Sequence, residues 1–308
     1  MKAFDYSVVV PVYNGETTLQ ELFERTQSLF TRLGNSFQVI FVDDESKDGS
    51  WHRILQLKAA YPSHIKAIRL AHNCGQQKAT LCGIKHSDGK SIITIDDDLQ
   101  TPPEQMEKLI KTHIESKADL VYGLYNGKQH SVVRNVGSRL FNAFFAKFAS
   151  TSGKGTSFRH ISSELAARIA GINQKYLLLD EVLQWFTSNI AYCNVEHQKR
   201  AEGKSGYTFF QLVKIALGYL IYYTVFPLRL MTFFGFFSSL LSFIVGMIYI
   251  YNKLGKEGEV VLGFTTTIVA IFFSTSVILF SLGIIGEYIS RIYVQEISKP
   301  PYVIKEIQ

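Results

Sequence analysis

The chain has 308 residues, with 32 Lys and Arg against 26 Asp and Glu, a net charge of +6, and 47% hydrophobic residues beside only 19% charged ones. That length allows one large domain or two modest ones, and so oily a composition points to apolar residues concentrated in part of the chain. The basic balance suits nucleic acid, an anionic membrane or a phosphorylated substrate, but no RNP-like motif, zinc-finger spacing or basic low-complexity arm supports nucleic acid. Cys74, Cys82 and Cys193 are odd in number and lack CxxC spacing. They imply neither a disulfide framework nor a zinc site, and they fit a reducing compartment. Met1–Tyr6 does not read as a signal peptide, since the apolar run after it is only Val8–Val10 before Pro11.

From residue 7 to about 123, strand-like and helix-like runs alternate. Ser7–Val12, Gln38–Val42, Ile65–Leu70, Ser91–Ile95 and Asp119–Gly123 are short and rich in β-branched residues. Thr17–Leu33, Ser50–Tyr61, Gln76–His86 and Pro103–Ser116 carry helical spacing and polar faces. This alternation predicts an α/β domain with a mostly parallel sheet covered by helices. Val132–Ala149 reads as a helix, Ser150–Gly155 as a loop, Ser162–Gly171 and Leu177–Thr187 as helices, and Ala191–His197 as a returning strand.

Composition shifts after Tyr207. Phe209–Val225 mixes Phe, Leu, Ile and Tyr with a single Lys214 and suits an amphipathic helix at a membrane surface. Thr232–Tyr251 and Phe264–Gly286 contain no charged residue. About twenty residues at roughly 1.5 Å each cover the ~30 Å hydrocarbon core, so both read as membrane spans. The expected order is a catalytic domain over 1–207, an interface helix over 208–228, a two-span hairpin over 229–290 and a tail over 291–308. Two spans return the chain to its starting side. Arg229, Arg291, Lys299 and Lys305 give a weak positive-inside bias, so the large domain is expected in the cytoplasm.

In a parallel α/β sheet, ligands bind beyond the carboxyl ends of the strands. Polar clusters sit at four such ends: Asn14, Asp43-Asp44, His72-Asn73 and Asp96-Asp97-Asp98. Asp96 and Asp98 alternate at strand spacing, so both are expected on one side with Asp97 on the other. Two carboxylates together suit magnesium or manganese, which keeps waters and takes phosphate oxygens. Asp43 and Asp44 are placed to accept from a uracil N–H or a ribose hydroxyl, while Asp48-Gly49-Ser50 reads as a turn and helix cap.

Several motifs resemble the family-two glycosyltransferases with a GT-A fold. They are Pro11-Val12-Tyr13-Asn14, Val42-Asp43-Asp44-x-Ser46-x-Asp48-Gly49-Ser50, Asn73-x-Gly75-x-x-x-Ala79 and Asp96-Asp97-Asp98-Leu99-Gln100-x-Pro102-Pro103-Glu104. Leu99-Gln100 with the proline pair is similar to the polyprenyl-phosphate glycosyltransferases in particular. Ser157-Phe158-Arg159, Arg200-x-x-Gly203-x-Ser205-x-Tyr207, Pro227-Leu228-Arg229 and Gly286-Glu287-Tyr288-Ile289-x-Arg291-Ile292-Tyr293 extend the likeness along nearly the whole chain.

The resemblance implies inverting transfer of one sugar from a nucleotide-sugar, taken as a UDP-sugar, to undecaprenyl phosphate, with Mg2+ or Mn2+. The bacterial two-span members that make lipid-linked glucose or aminoarabinose are the nearest type. It implies donor contacts from Pro11, Tyr13, Asn14, Asp43, Asp44, Asn73, Gln76, Lys78, Asp96, Asp97 and Gln100, and metal ligation by Asp96 and Asp98. Asp98, Asp180 and Glu181 are the candidate catalytic residues. Arg134, Arg159, Arg200, Lys204 and Ser205 are the candidates for the acceptor phosphate, since arginine forks suit phosphate oxygens. The resemblance also implies a homo-oligomer, with a tetramer as one form. Many members carry an acidic residue just before the Phe-Arg pair, where this chain has Thr156-Ser157, so a general base at that position is not expected. Two competing readings are a polysaccharide-elongating transferase and a non-catalytic membrane scaffold. The first would show Gln-x-x-Arg-Trp, which Gln184-Trp185 does not match, and the second would have lost the rim acids.

Overall fold

A computed structural model describes residues 4–125, 155–172, 179–196, 230–237, 240, 241, 244, 247, 248, 263–296 and 300–308. The chain divides into two compact units, one of residues 1–146, 150–204 and 299–308 and the other of 147–149 and 205–298.

In the first unit, β1 (Phe4–Val12) is the central strand. Val8, Val9, Val10 and Val12 are all buried, with Val9 packed on one side of the sheet and the other three on the opposite side. A strand covered on both faces needs a continuous apolar run rather than alternation, and this one has it. Around it lie β2 (Phe37–Asp43), β3 (Ile65–Leu70), β4 (Gly89–Thr94), β5 (Leu120–Tyr125), β6 (Arg159–Ser162), β7 (Ile190–Val195) and β8 (Ile304–Ile307). The sheet order is β7-β5-β6-β4-β1-β2-β3-β8. β1 runs parallel to β2 and β4, β2 to β3, and β5 to β7, whereas β6 and β8 are antiparallel to their neighbours.

Helices cover both faces. α1 (Leu19–Leu33) buries Leu19, Leu22, Phe23, Thr26, Leu29 and Phe30, the spacing of one helical stripe. It stops at Gly34, whose φ of 68° lets the Asn35 N–H reach back to Phe30 O at 3.2 Å, while the Gly34 N–H donates to Thr31 O at 3.2 Å. α2 (Ser50–Ala60), α3 (Gln76–Lys85), α4 (Met106–Ser116), α5 (Ser163–Ile169) and α6 (Leu179–Phe186) complete the layers. One core lies under α1, α2 and α4, and the other under α3, α5 and α6.

Two strands depart from the sequence reading. Arg159–Ser162 forms β6 between β4 and β5, and Ile304–Ile307, expected within a tail, closes the sheet edge beside β3. In the second unit, α7 (Phe264–Glu296) runs for 33 residues, about 50 Å at the helical rise. It continues through Glu287, where the span was expected to end. Phe273–Ser290 is long and apolar enough to cross a membrane, and none of that window is buried. Residues 230–237 are helical. The expected helix over 132–149, the loop over 150–154, the interface helix over 209–225 and much of the first span lie outside the described residues.

Candidate active site

The carboxyl ends of β1, β2, β3 and β4 carry loops that are stitched to one another. Asn14, at φ 56°, donates its N–H to Ser46 Oγ at 3.0 Å and accepts from Lys47 N–H at 2.9 Å. The Gly15 N–H donates to Ser50 Oγ at 2.9 Å, and the Gly49 N–H donates to Glu16 Oε2 at 3.1 Å. Asp48 accepts from the N–H and hydroxyl of Ser50 and from the Glu16 N–H, as its turn role requires. The Asn73 N–H donates to Glu45 Oε2 at 3.0 Å, and its side-chain amide donates to Asp44 O at 3.2 Å. These bonds satisfy backbone groups that strand ends would otherwise leave open.

The aspartate triplet lies beyond β4, which stops at Thr94. Strand alternation therefore does not extend to it, and the expectation that Asp97 points away from the rim is corrected. Asp97 Oδ2 accepts from the Tyr13 N–H at 3.2 Å, joining the ends of β4 and β1 where the strand order reverses. A Cβ on Gly15 would stand 2.5 Å from that oxygen, so a larger residue there would displace the Asp97 carboxyl. Asp96 is gripped from two other sides: Gln76 Nε2 donates to Oδ1 at 2.5 Å and Ser157 Oγ to Oδ2 at 2.6 Å. Asp98 Oδ1 accepts from the Gln100 N–H at 3.1 Å, across Leu99 at φ 56°.

Burial pushes the Asp96 carboxyl upward, and the neighbouring Asp98 charge adds to the shift. Burial also lifts Asp97 to about 7, with Asp96 and Asp98 reinforcing it. Buried carboxyls whose charge is disfavoured, as at Asp96 and Asp97, make a setting that a divalent cation would relieve. The oxygen-only chemistry of Asp96 and Asp98 fits Mg2+ or Mn2+. Among the described residues, no cluster of three or more His, Cys, Asp or Glu side chains is assembled that could hold a metal ion.

The two acids after β2 hold different places. Asp44 is 3% exposed, and its two oxygens accept from the Cys74 N–H at 2.7 Å and the Gly75 N–H at 2.8 Å. It anchors the turn before α3. Asp43 is fully buried, and its Oδ1 accepts from the Ser46 N–H at 3.2 Å. Arg69 Nε lies 3.2 Å from Oδ2, an ion pair without hydrogen-bond geometry. Burial raises both carboxyls. Tyr13, Asn14, Asn73 and Gln76 are exposed along the rim, Lys78 and Gln100 are half-buried, and Pro11 is buried at the end of β1.

Arg159 is 4% exposed, and its Nη1 donates to Asp180 Oδ1 at 2.5 Å. Tyr122 donates to the same oxygen at 3.0 Å, and its ring lies 5.9 Å from the guanidinium carbon. Arg159 and Asp180 therefore serve each other inside the domain. Arg159 Nε is buried without a hydrogen-bond partner among the described residues. Glu181 is half-buried on α6. Arg134, Arg200, Lys204 and Ser205 lie outside the described residues.

The sequence reading missed Ser157 as the clamp on Asp96. Its only sequence signal was a hydroxyl where many relatives carry an acid. It also missed Tyr125, which hydrogen-bonds Ser157 and receives the Thr101 hydroxyl at 3.3 Å.

An acidic rim at the switch point of a mostly parallel sheet, with helices on both faces, defines a GT-A domain. Residues 7–177 match Glycosyl transferase family 2, to which the chain belongs, and residues 226–292 match the GtrB C-terminal hairpin. The chain is similar to the undecaprenyl-phosphate 4-deoxy-4-formamido-L-arabinose transferase of Klebsiella pneumoniae strain 342, 29% identical over 307 residues, covering 98% of this chain and 93% of the relative. The same enzyme from Klebsiella pneumoniae subsp. pneumoniae matches with the same identity and coverage. Among solved structures, glucosyl-3-phosphoglycerate synthase from Mycobacterium tuberculosis, in complex with Mn2+, uridine diphosphate and phosphoglyceric acid, shares the fold. The TM-score is 0.50 at 17% identity, covering 71% of this chain and 77% of that one.

Proposed function

We propose that this glycosyltransferase moves a single sugar from a UDP-sugar to undecaprenyl phosphate, with inversion at the anomeric carbon. One observation carries the reading: an interlocked acidic rim at the ends of four parallel strands occurs in a chain that also holds an exposed apolar helix of membrane-spanning length. The likeness to the Klebsiella transferases runs through both parts and supports a lipid-phosphate acceptor.

An acceptor phosphate oxygen attacks the anomeric carbon as the bond to the UDP oxygen breaks, so one displacement inverts the centre and UDP departs with the electron pair. A phosphate monoester has a second pKa of about 6 and is largely ionised at neutral pH, so it needs positioning more than a general base. Asp180 is held by Arg159 and Tyr122, and in this reading it orders that side of the site. A divalent cation bound to Asp96 and Asp98 would neutralise the diphosphate leaving group. Gln76 and Ser157 fix the rotamer of Asp96. The catalytic domain lies in the cytoplasm, and two membrane spans hold the enzyme at the bilayer where the acceptor resides.

Membranes containing the protein should move radiolabel from a UDP-sugar into a butanol-extractable lipid, and EDTA should stop the transfer. Undiminished transfer in EDTA would remove the metal from this reading. Label appearing only in soluble oligosaccharide would favour a chain-elongating transferase.

A further inference from the structure

The last strand borders the third of the four strand ends. β8 pairs antiparallel with β3, setting Ile68 opposite Ile307, Arg69 opposite Glu306 and Leu70 opposite Ile304, with a register shift at Arg69/Leu70. The Ala67 N–H donates to Gln308 O at 2.9 Å, and the Gln308 N–H returns to Ala67 O at 2.8 Å. Past the shift, Val303 brackets the turn that follows β3. Its carbonyl accepts from the Ala71 N–H at 2.8 Å, and its own N–H is directed to the Cys74 thiol. Between those two attachments lies Asn73, and immediately after them come the Cys74 and Gly75 N–H groups that hold Asp44.

Side chains of the same segment are seated beneath this turn. Tyr302 and Ile304 pack on the core cluster that contains Ala79, Leu81 and Cys82 of α3, and the Tyr302 hydroxyl bonds the Cys82 sulfur. Pro301 is buried as well. Val303, by contrast, is 44% exposed, and its backbone carbonyl makes the attachment to Ala71.

We infer that β8 is a positioning element of the donor site: it fixes the 71–75 turn, and through that turn Asp44, Asn73 and the start of α3 with Gln76. This rests on the donor reading proposed above. Without the strand, the turn would lose its outer partners, and the Gln76 amide would lose the fixed helix start from which it reaches Asp96.

The test uses the full-length protein in lipid nanodiscs, with UDP as the probe and Val303→Pro as the variant that removes one backbone donor. Hydrogen exchange at residues 71–76 should accelerate while β1 and β2 stay protected. UDP affinity should fall about fivefold, the factor carried by one hydrogen bond of about 1 kcal/mol. In turnover, donor KM should rise with kcat and acceptor KM nearly constant, and Val303→Ala, which keeps the N–H, should recover the wild-type donor KM. If Val303→Pro loses protection throughout the sheet, Tyr302→Ala supplies the same comparison. Unchanged exchange at 71–76, or faster exchange with unchanged UDP affinity, would overturn the inference. Failure of the wild-type protein to bind UDP would instead count against the donor reading itself.

Discussion

Asp96 has one oxygen taken by Gln76 and the other by Ser157, while Asp98 is turned back by the Gln100 N–H. The aspartates were legible in the sequence as a cluster. Their division of labour was not, because Ser157 reaches Asp96 across 61 residues of chain and Tyr13 meets Asp97 across 84. Asp98→Ala is expected to reduce transfer by about 10²-fold or more, the range seen when a charge-stabilising group is removed, with membrane insertion unchanged. Wild-type turnover by that variant would take Asp98 out of the site.

His160 on β6 supplies a second residue-scale test. It is fully buried, stacked on His113 of α4 at 4.1 Å and edged by Tyr6 of β1 at 6.4 Å, and neither ring nitrogen has a hydrogen-bond partner. Burial first, and then the His113 charge, push its pKa from 6.5 to about 3. Between those values the unfolded chain binds a proton that the folded chain refuses, so this residue costs stability increasingly as pH falls from about 6.5 towards 3. His160→Leu should flatten the fall of unfolding temperature between pH 7 and 5. An unaltered slope would show that His160 does not set it.

At the scale of elements, the strand–helix alternation from β1 to α4 was readable because each run carries its own periodicity and turn residues. β6 and β8 were not readable. Each is four residues long, and each is defined by a partner far away in the chain rather than by an apolar pattern. Arg159 illustrates the consequence: the sequence offered it for the acceptor phosphate but gave no sign that it lies on a strand and bonds Asp180. Helix α3 shows how tightly the layers are packed. A Cβ on Gly83 would sit 2.3 Å from Val9 Cγ1 and 3.2 Å from Val42 Cγ2, both side chains being fully buried in the sheet. Gly83→Ala should therefore cost about 1–3 kcal/mol through overpacking and lower the unfolding temperature by several degrees. A neutral substitution would mean that the helix can lift from the sheet at little cost.

For the whole molecule, uneven apolar composition announced the membrane part before any motif did. The exposed face of α7 agrees with it: Phe273, Ile278, Leu279 and Phe280 are each more than half exposed, an arrangement suited to lipid rather than water. The sugar was not legible in any motif of the sequence. Transfer of a single sugar to undecaprenyl phosphate is read by mass spectrometry of the lipid product. Purified protein is incubated with undecaprenyl phosphate, a divalent metal and each of a panel of UDP-sugars. The expected result is one donor that yields undecaprenyl phosphate carrying a single sugar, with UDP released in equal amount. Sugar chains longer than one unit, or intact lipid phosphate with every donor, would contradict it.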